Sequence, residues 1–382
     1  MKPKVLLSNL AIAALSCAIG FLLSEFVARR VLSPSDYLSV EMIQDDILGA
    51  VPSPNTLAGG FDEWGFRNRR VPKASDIVAI GDSHTYGNTA SMRDSWPYVL
   101  GELTGETVYN MGMGGYGPNQ YFHLLKTKAL QLTPRTVVLG LYIGDDFENA
   151  YLITYGLPHW ASLRLLPTEP VNSDIWETPP TRSWHKGLRV WLSRNSVVYQ
   201  LLFHGPLLGR LQGETQIRTA AMGSEDVVSL AVPEKNILEA FRPKNVLRVL
   251  DQDSASVREG MRITFELLAG MNEICVQNDV KFIVLVIPTK EMVFAEYIEH
   301  QPDLPLSDVI DRLLANEREA RTKTFEFLNN ANIVFIDVLP ALRNSLSNQL
   351  YVRTSTDMHP NRNGYRVIAQ AAFRDLTADA QK

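Results

Sequence analysis

The chain has 382 residues, 45% hydrophobic and 21% charged, a globular mixture that excludes wholesale disorder and collagen-like structure and, at roughly 100–200 residues per domain, exceeds one small domain. Thirty-seven Lys and Arg against 42 Asp and Glu give a net charge of −5 with no basic domain, so nucleic acid is not an expected partner. The cysteines are Cys17 and Cys275 alone, which excludes a disulfide framework and any cysteine-based zinc site.

Lys2 and Lys4 precede an uncharged run from Val5 to Ser24. As a helix this run spans roughly 30 Å, about one hydrocarbon core, and residues 1–30 are expected to be a membrane anchor. A cleaved signal peptide is the competing reading. No small-x-small site follows the run, however, and Glu25-Phe26-Val27 continues helical. Both flanks carry two positive residues; a short basic N-terminus usually stays inside, which puts the rest of the chain outside the cytoplasm. Residues 31–72 mix Pro, Gly and Asp with scattered apolar positions and read as an extended approach segment.

The main domain is expected over 73–382. Apolar runs at 76–80, 107–110, 136–143, 282–287 and 333–336 read as five strands, several of them ended by glycine. Helical spacing is found at 118–130, 257–278, 306–329 and 364–376. Near-continuous Val/Ile/Leu strands alternating with helices predict an α/β fold, a parallel five-stranded sheet covered on both faces, with reactive groups at the carboxyl ends of the strands. Residues of about 147–256, with a helix near 188–203 and no strong strand rhythm, read as a large insertion after the third strand. There are no internal repeats and no low-complexity tracts.

Chemistry-bearing residues gather at the predicted strand ends. The first strand runs into Gly81-Asp82-Ser83-His84-Thr85, which sets a serine at the start of a following helix, where free N–H groups and positive potential favour an alkoxide. Asn110-Met-Gly112-Met-Gly114-Gly115 follows the second strand and permits close backbone approach to a ligand. Gly144-Asp145-Asp146 follows the third, and Asp357-Met-His359-Pro-Asn361 lies after the fifth. Serine, histidine and aspartate arriving separately at one edge make a nucleophile, base and orienter feasible.

These blocks, in this order, resemble the SGNH/GDSL hydrolases over most of residues 62–376. The resemblance implies a three-layer α/β/α sandwich and an acyl-enzyme route, with Ser83 as nucleophile, His359 as base and Asp357 as acid. It also implies an oxyanion hole from the N–H groups of Ser83 and Gly115 with a third donor at position 145. Anchor and insertion are most similar to bacterial membrane-tethered members associated with O-acylation of surface polysaccharides. The expected setting is therefore the periplasmic side of the inner membrane. Expected partners are an acylated carbohydrate or small ester, and they could include a membrane protein that donates acyl groups. No cofactor is expected. A catalytically silent glycan-binding or assembly scaffold of the same fold is the alternative function.

Two features depart from the family pattern. The acid at Asp357 is two residues before the histidine instead of three, a spacing similar to that of alginate-type O-acetyltransferases. Asp145 stands where an asparagine donor is expected; an ionised carboxylate would repel a developing oxyanion. Either Asp145 is protonated and donates, or Asn149 substitutes, or the third donor is missing.

Further candidates have plainer readings beside the functional ones. His84 could touch substrate or be a loop residue, while Asp82 is expected to fix the turn by accepting local N–H groups. Lys290 could meet an anionic substrate or be solvated. Trp160, foremost among Trp160, Trp176, Trp184 and Trp191, could stack on a sugar ring, with burial as the default. Asp145, Asp146 and Glu148 could be taken as hard-metal ligands, but no partner cluster accompanies them, and no metal is expected.

Overall fold

The computed structural model describes residues 3–38, 42–52, 61–167, 184–203, 226–299, 301 and 304–379. An antiparallel hairpin, β1 (Met42–Asp45) with β2 (Gly49–Pro52), precedes the main sheet. The sheet strands are β3 (Ile77–Gly81), β4 (Val108–Gly112) and β5 (Thr136–Tyr142), followed after a second antiparallel hairpin, β6 (Val228–Val232) with β7 (Ile237–Phe241), by β8 (Lys281–Ile287) and β9 (Val334–Asp337).

The five sheet strands are all parallel, in the order β4-β3-β5-β8-β9. The apolar side chains of β3, β5 and β8 are buried on both faces because helices cover both, whereas on the edge strand β9 Val334 is exposed. Helices Pro118–Thr127, Asp146–Gly156, Ala255–Gln277 and Ser307–Asn330 form one layer. In it Phe265 stacks on Phe327 with ring centroids 4.4 Å apart. Trp96–Thr104 and Arg362–Asp379 pack together on the other face. This is the α/β/α arrangement expected, with chain crossovers on either side of β3.

Two expectations are revised. The segment 31–72 is not extended: it holds a 3-10 turn at Pro34–Asp36 and the β1–β2 hairpin, and buried Arg67 ties it down. Arg67 donates to the carbonyls of Tyr86, Gly87 and Ala90 and pairs with Asp36 at 2.8 Å. The expected insertion at 147–256 begins and ends with helices of the main layers, since Asp146–Gly156 packs on Ala255–Gln277 and Pro243–Leu250 on Ser307–Asn330. It also contains the β6–β7 hairpin, whose buried alternation over five residues was too short to stand out from loop sequence. The N-terminal helix runs from Pro3 to Val31, and the stretch Ser8–Val31 is apolar and long enough to cross a membrane, with its residues up to Ser24 exposed.

Candidate active site

The site is built on a row of three glycines. Gly112, Gly81 and Gly140 sit side by side in register across β4, β3 and β5. A Cβ on Gly81 or Gly140 would lie 2.1 or 2.4 Å from Thr85 Oγ1, and one on Gly112 would lie 2.2 Å from the Tyr86 backbone nitrogen. The short helix Ser83–Tyr86 therefore rests directly on the sheet edge, and side chains on the row would lift it off. The glycine-rich segment after β4 is expected to let backbone approach a ligand; at Gly112 what it admits is the backbone of this helix. Asp82 caps the helix by accepting from the His84 N–H at 2.9 Å, as its turn-fixing role requires. Gly87 closes it in the left-handed region at φ 86°.

Ser83 is the first residue of this helix, and its Oγ lies 2.8 Å from His359 Nε2. The opposite ring nitrogen, Nδ1, is 2.6 Å from Asp357 Oδ1, the same oxygen that accepts the His359 backbone N–H at 2.9 Å. Burial by itself would raise the Asp357 carboxyl, but the two hydrogen bonds from His359 outweigh it and hold it below the usual carboxylate range. Asp357 thus stays ionised and fixes the imidazole with Nε2 facing the serine.

The Asp-x-His clamp occurs twice. Asp82 Oδ1 accepts the His84 N–H, and Asp82 Oδ2 lies 3.1 Å from His84 Nδ1, the same pattern that Asp357 makes with His359. The two imidazoles are 4.7 Å apart, and His84 stacks on Tyr142 at 3.9 Å. His84 is neither a loop residue nor placed to meet substrate: it is buried within the serine helix, and burial lowers its pKa despite the neighbouring Asp82 carboxylate. Burial thus disfavours a charged ring at His84 beside the serine.

The expected oxyanion donors come from the serine helix, the turn after β4 and the segment after β5. The Ser83 N–H opens the helix, where it has no partner within the helix. In the exposed turn after β4, a Cβ on Gly114 would lie 3.9 Å from Ser83 Cβ, while Gly115 takes φ 78° with open space around it. Asp146 is buried and Asp145 half-buried, both close to other carboxylates, and desolvation, then Asp82, pushes both pKa values well up. Asp146 accepts from the Tyr121 hydroxyl at 2.7 Å and the Tyr142 N–H at 2.8 Å, two donors that favour its anion. Asp145 Oδ1 has no hydrogen-bond partner, so the proton belongs on Asp145. Glu148 pairs with Arg248, and among the described residues no group of three His, Cys, Asp or Glu could hold a metal ion.

Two substrate-contact expectations are corrected. Lys290 is buried, 2.7 Å from Glu239 on β7, and its Nζ donates to Ser355 O at 2.9 Å, just before the acid–base loop. It is neither solvated nor turned to an anionic ligand, because the unrecognised β6–β7 hairpin brings its counter-charge. Trp160 is buried in a small apolar cluster and donates from Nε1 to Ile47 O at 2.8 Å, leaving no free face for a sugar. Trp176 and the side chain of Trp184 lie outside the described residues.

Sequence reading missed the residues that hold the loop carrying His359. Thr89 Oγ1 donates to Pro360 O at 2.6 Å, Asn361 Nδ2 donates to Gln349 O and Tyr351 O, and Lys290 grips Ser355. Asn110, on the second motif, donates from Nδ2 to Thr85 O at 2.9 Å, which joins that motif to the serine helix. Each is a polar side chain meeting backbone from a distant segment, a pairing that spacing alone does not reveal.

A doubly covered parallel sheet that presents a serine–histidine–aspartate relay at its carboxyl edge is an arrangement suited to acyl transfer through serine. No family model and no curated protein matches the chain. Among solved structures the chain is similar to a protein described as a lipolytic member of the G-D-S-L family from Desulfitobacterium hafniense, at 14% identity and TM-score 0.37, covering 78% of this chain and 97% of that one. It is also similar to a GDSL-like lipase from Bacteroides thetaiotaomicron (11%, TM-score 0.32, 80% and 88% covered). A third similarity is to an acetylxylan esterase from Geobacillus stearothermophilus (10%, TM-score 0.35, 80% and 95% covered).

Proposed function

We propose that this chain is a serine esterase or O-acyltransferase of the SGNH/GDSL type, anchored by its N-terminal helix and acting outside the cytoplasm on small acyl groups of carbohydrate. The observation that carries the reading is the continuous relay from Ser83 Oγ through His359 to Asp357, at 2.8 and 2.6 Å. Ser83 attacks the acyl carbonyl as His359 Nε2 takes its proton, and Asp357 balances the imidazolium that forms. The N–H groups of Ser83 and Gly115 receive the oxyanion, and a protonated Asp145 supplies a third hydrogen bond. The imidazolium then protonates the leaving alcohol, and water or a sugar hydroxyl resolves the acyl-enzyme. Support for the anchor and the extracytoplasmic setting is the exposed apolar stretch Ser8–Val31, preceded by Lys4.

A serine-reactive fluorophosphonate should label the wild type, and Ser83→Ala should abolish labelling. Hydrolysis of a small acetyl ester should fall by about 10⁴-fold or more in Ser83→Ala and in His359→Ala. Folded wild type that neither labels nor turns over ester would favour the silent scaffold. Running the reaction with an oligosaccharide acceptor separates transfer from hydrolysis, because a transferase forms acetylated sugar faster than free acetate.

A further inference from the structure

The anchor does not simply lead into the catalytic domain. Glu25, at the end of its uncharged run, accepts from Ser196 Oγ at 2.8 Å and from the N–H groups of Val197 and Val198, both at 3.0 Å. Arg29, paired with Glu25, donates to Asn195 O at 2.6 Å. These contacts seize the junction between helices Trp184–Asn195 and Val197–Phe203, so part of the central insertion is fastened to the anchor at one level. The anchor's residues 8–24 are all exposed, and Glu25 is the first to gain cover. Counting roughly 30 Å of uncharged helix back from Glu25 puts this junction where a spanning helix leaves the hydrocarbon.

What the insertion displays at that level is apolar. Leu188 is 50% exposed, Trp191 58% and Leu202, on the following helix, 54%, a group of large apolar side chains close to the anchor junction. At about 3.6 residues per turn, Leu188, Trp191 and Asn195 share one side of their helix, while Arg189 and Arg194 occupy its two flanks. Trp191 is one turn from the Arg29 contact, since its carbonyl accepts from the Asn195 side chain at 2.9 Å. An apolar stripe bordered by arginines is the pattern of a helix in the membrane interface, where arginine heads reach phosphates and tryptophan favours the headgroup boundary.

We propose that the helix Trp184–Asn195 lies in the membrane interface, with Leu188 and Trp191 inserted among the lipids, and gives the chain a second membrane contact beside its anchor. This rests on the anchor reading above. The occupant is the bilayer and not another protein, because the fastening to Glu25 and Arg29 fixes the stripe at the bilayer surface whenever the anchor is inserted.

The test uses the full chain reconstituted in vesicles, with flotation recording whether the anchor inserts. Emission of the wild type minus that of Trp191→Phe isolates Trp191. Lipids brominated near the headgroup should quench that difference by about half or more, and lipids brominated at the chain ends should quench it less. Leu188→Trp should add emission quenched in the same way, so the result does not depend on one variant. An unquenched difference in chains that float with the vesicles overturns the interfacial helix, leaves the anchor standing and shows the stripe covered by water or protein. Chains that fail to float overturn both.

Discussion

A serine hydroxyl is a poor nucleophile until a base removes its proton, so the acidity of the groups around Ser83 decides when this site can work. Asp145 is the residue on which that depends most. Burial, together with the charges of Asp82 and Glu148, pushes its pKa well up, and with Oδ1 unpaired it donates only while protonated. Its folded pKa exceeds its unfolded one, so the folded state binds the extra proton and loses stability as pH rises from the unfolded value toward the folded one. Asp145→Asn should therefore raise Tm, with a gap over wild type that widens as pH increases. The variant should also lose the basic-side fall in kcat that wild type shows as the carboxyl ionises, by up to about 10²–10³-fold in the deprotonated enzyme if the third hydrogen bond acts on the oxyanion. Identical pH–rate profiles for the two proteins would remove Asp145 from the reaction. Ser83 was legible in the sequence because it follows a strand beside glycine, and Asp357 and His359 because they share one Asp-x-His-Pro-Asn block between the last strand and the final helix. The placement of Lys290, His84 and Trp160 was not, since each owes its burial to a partner far along the chain: Glu239 for Lys290, Tyr142 for His84 and Ile47 for Trp160.

At the level of elements, the glycine row explains how a four-residue helix can be held firmly enough to aim a nucleophile. Gly81→Ala should strain the helix through Thr85 Oγ1, at a cost of about 1–3 kcal/mol, and lower kcat/KM. Adding Thr85→Ala should restore part of both, because it removes the Oγ1 contact at 2.1 Å but leaves the Thr85 Cβ at 2.8 Å. Gly112→Ala should resist the same rescue, because its obstacle is the backbone of Tyr86. Chemical denaturation and ester kinetics on the single and double variants check both. Lys290 tests the loop in the same way. Lys290→Ala leaves Glu239 buried without its counter-charge and should cost about 3–5 kcal/mol, whereas replacing both residues by apolar ones of similar volume should cost much less. The sheet strands could be read in advance because runs such as Ile77–Gly81, Thr136–Tyr142 and Lys281–Ile287 are nearly continuously apolar and alternate with helical segments. The two hairpins escaped because their equally short strands either mix polar and turn residues, as in Met42–Asp45 and Gly49–Pro52, or alternate buried with exposed positions, as in Val228–Val232.

For the whole molecule, the path from the N-terminal helix to the site is a chain of polar fastenings. Glu25 and Arg29 grip the insertion, and Arg67 binds Asp36 to the segment that follows the serine helix. An alkaline carbonate wash should leave the full chain in the membrane pellet, and a chain lacking residues 1–31 should appear in the supernatant; equal release of both would end the anchor reading. The anchor was visible as twenty uncharged residues, but its junction with residues 195–198 was not, because the two segments are more than 160 positions apart. Within the site the same kind of separation has a different meaning. His359 and its aspartate belong to one short loop, clamped by a carboxylate two residues upstream, while Ser83 lies 276 positions away. Base and orienter consequently travel as one rigid cassette, and the relay has a single adjustable joint, the gap between that cassette and the serine. Anything that nudges the 355–361 loop can disconnect the nucleophile while leaving the proton acceptor itself tuned and ready.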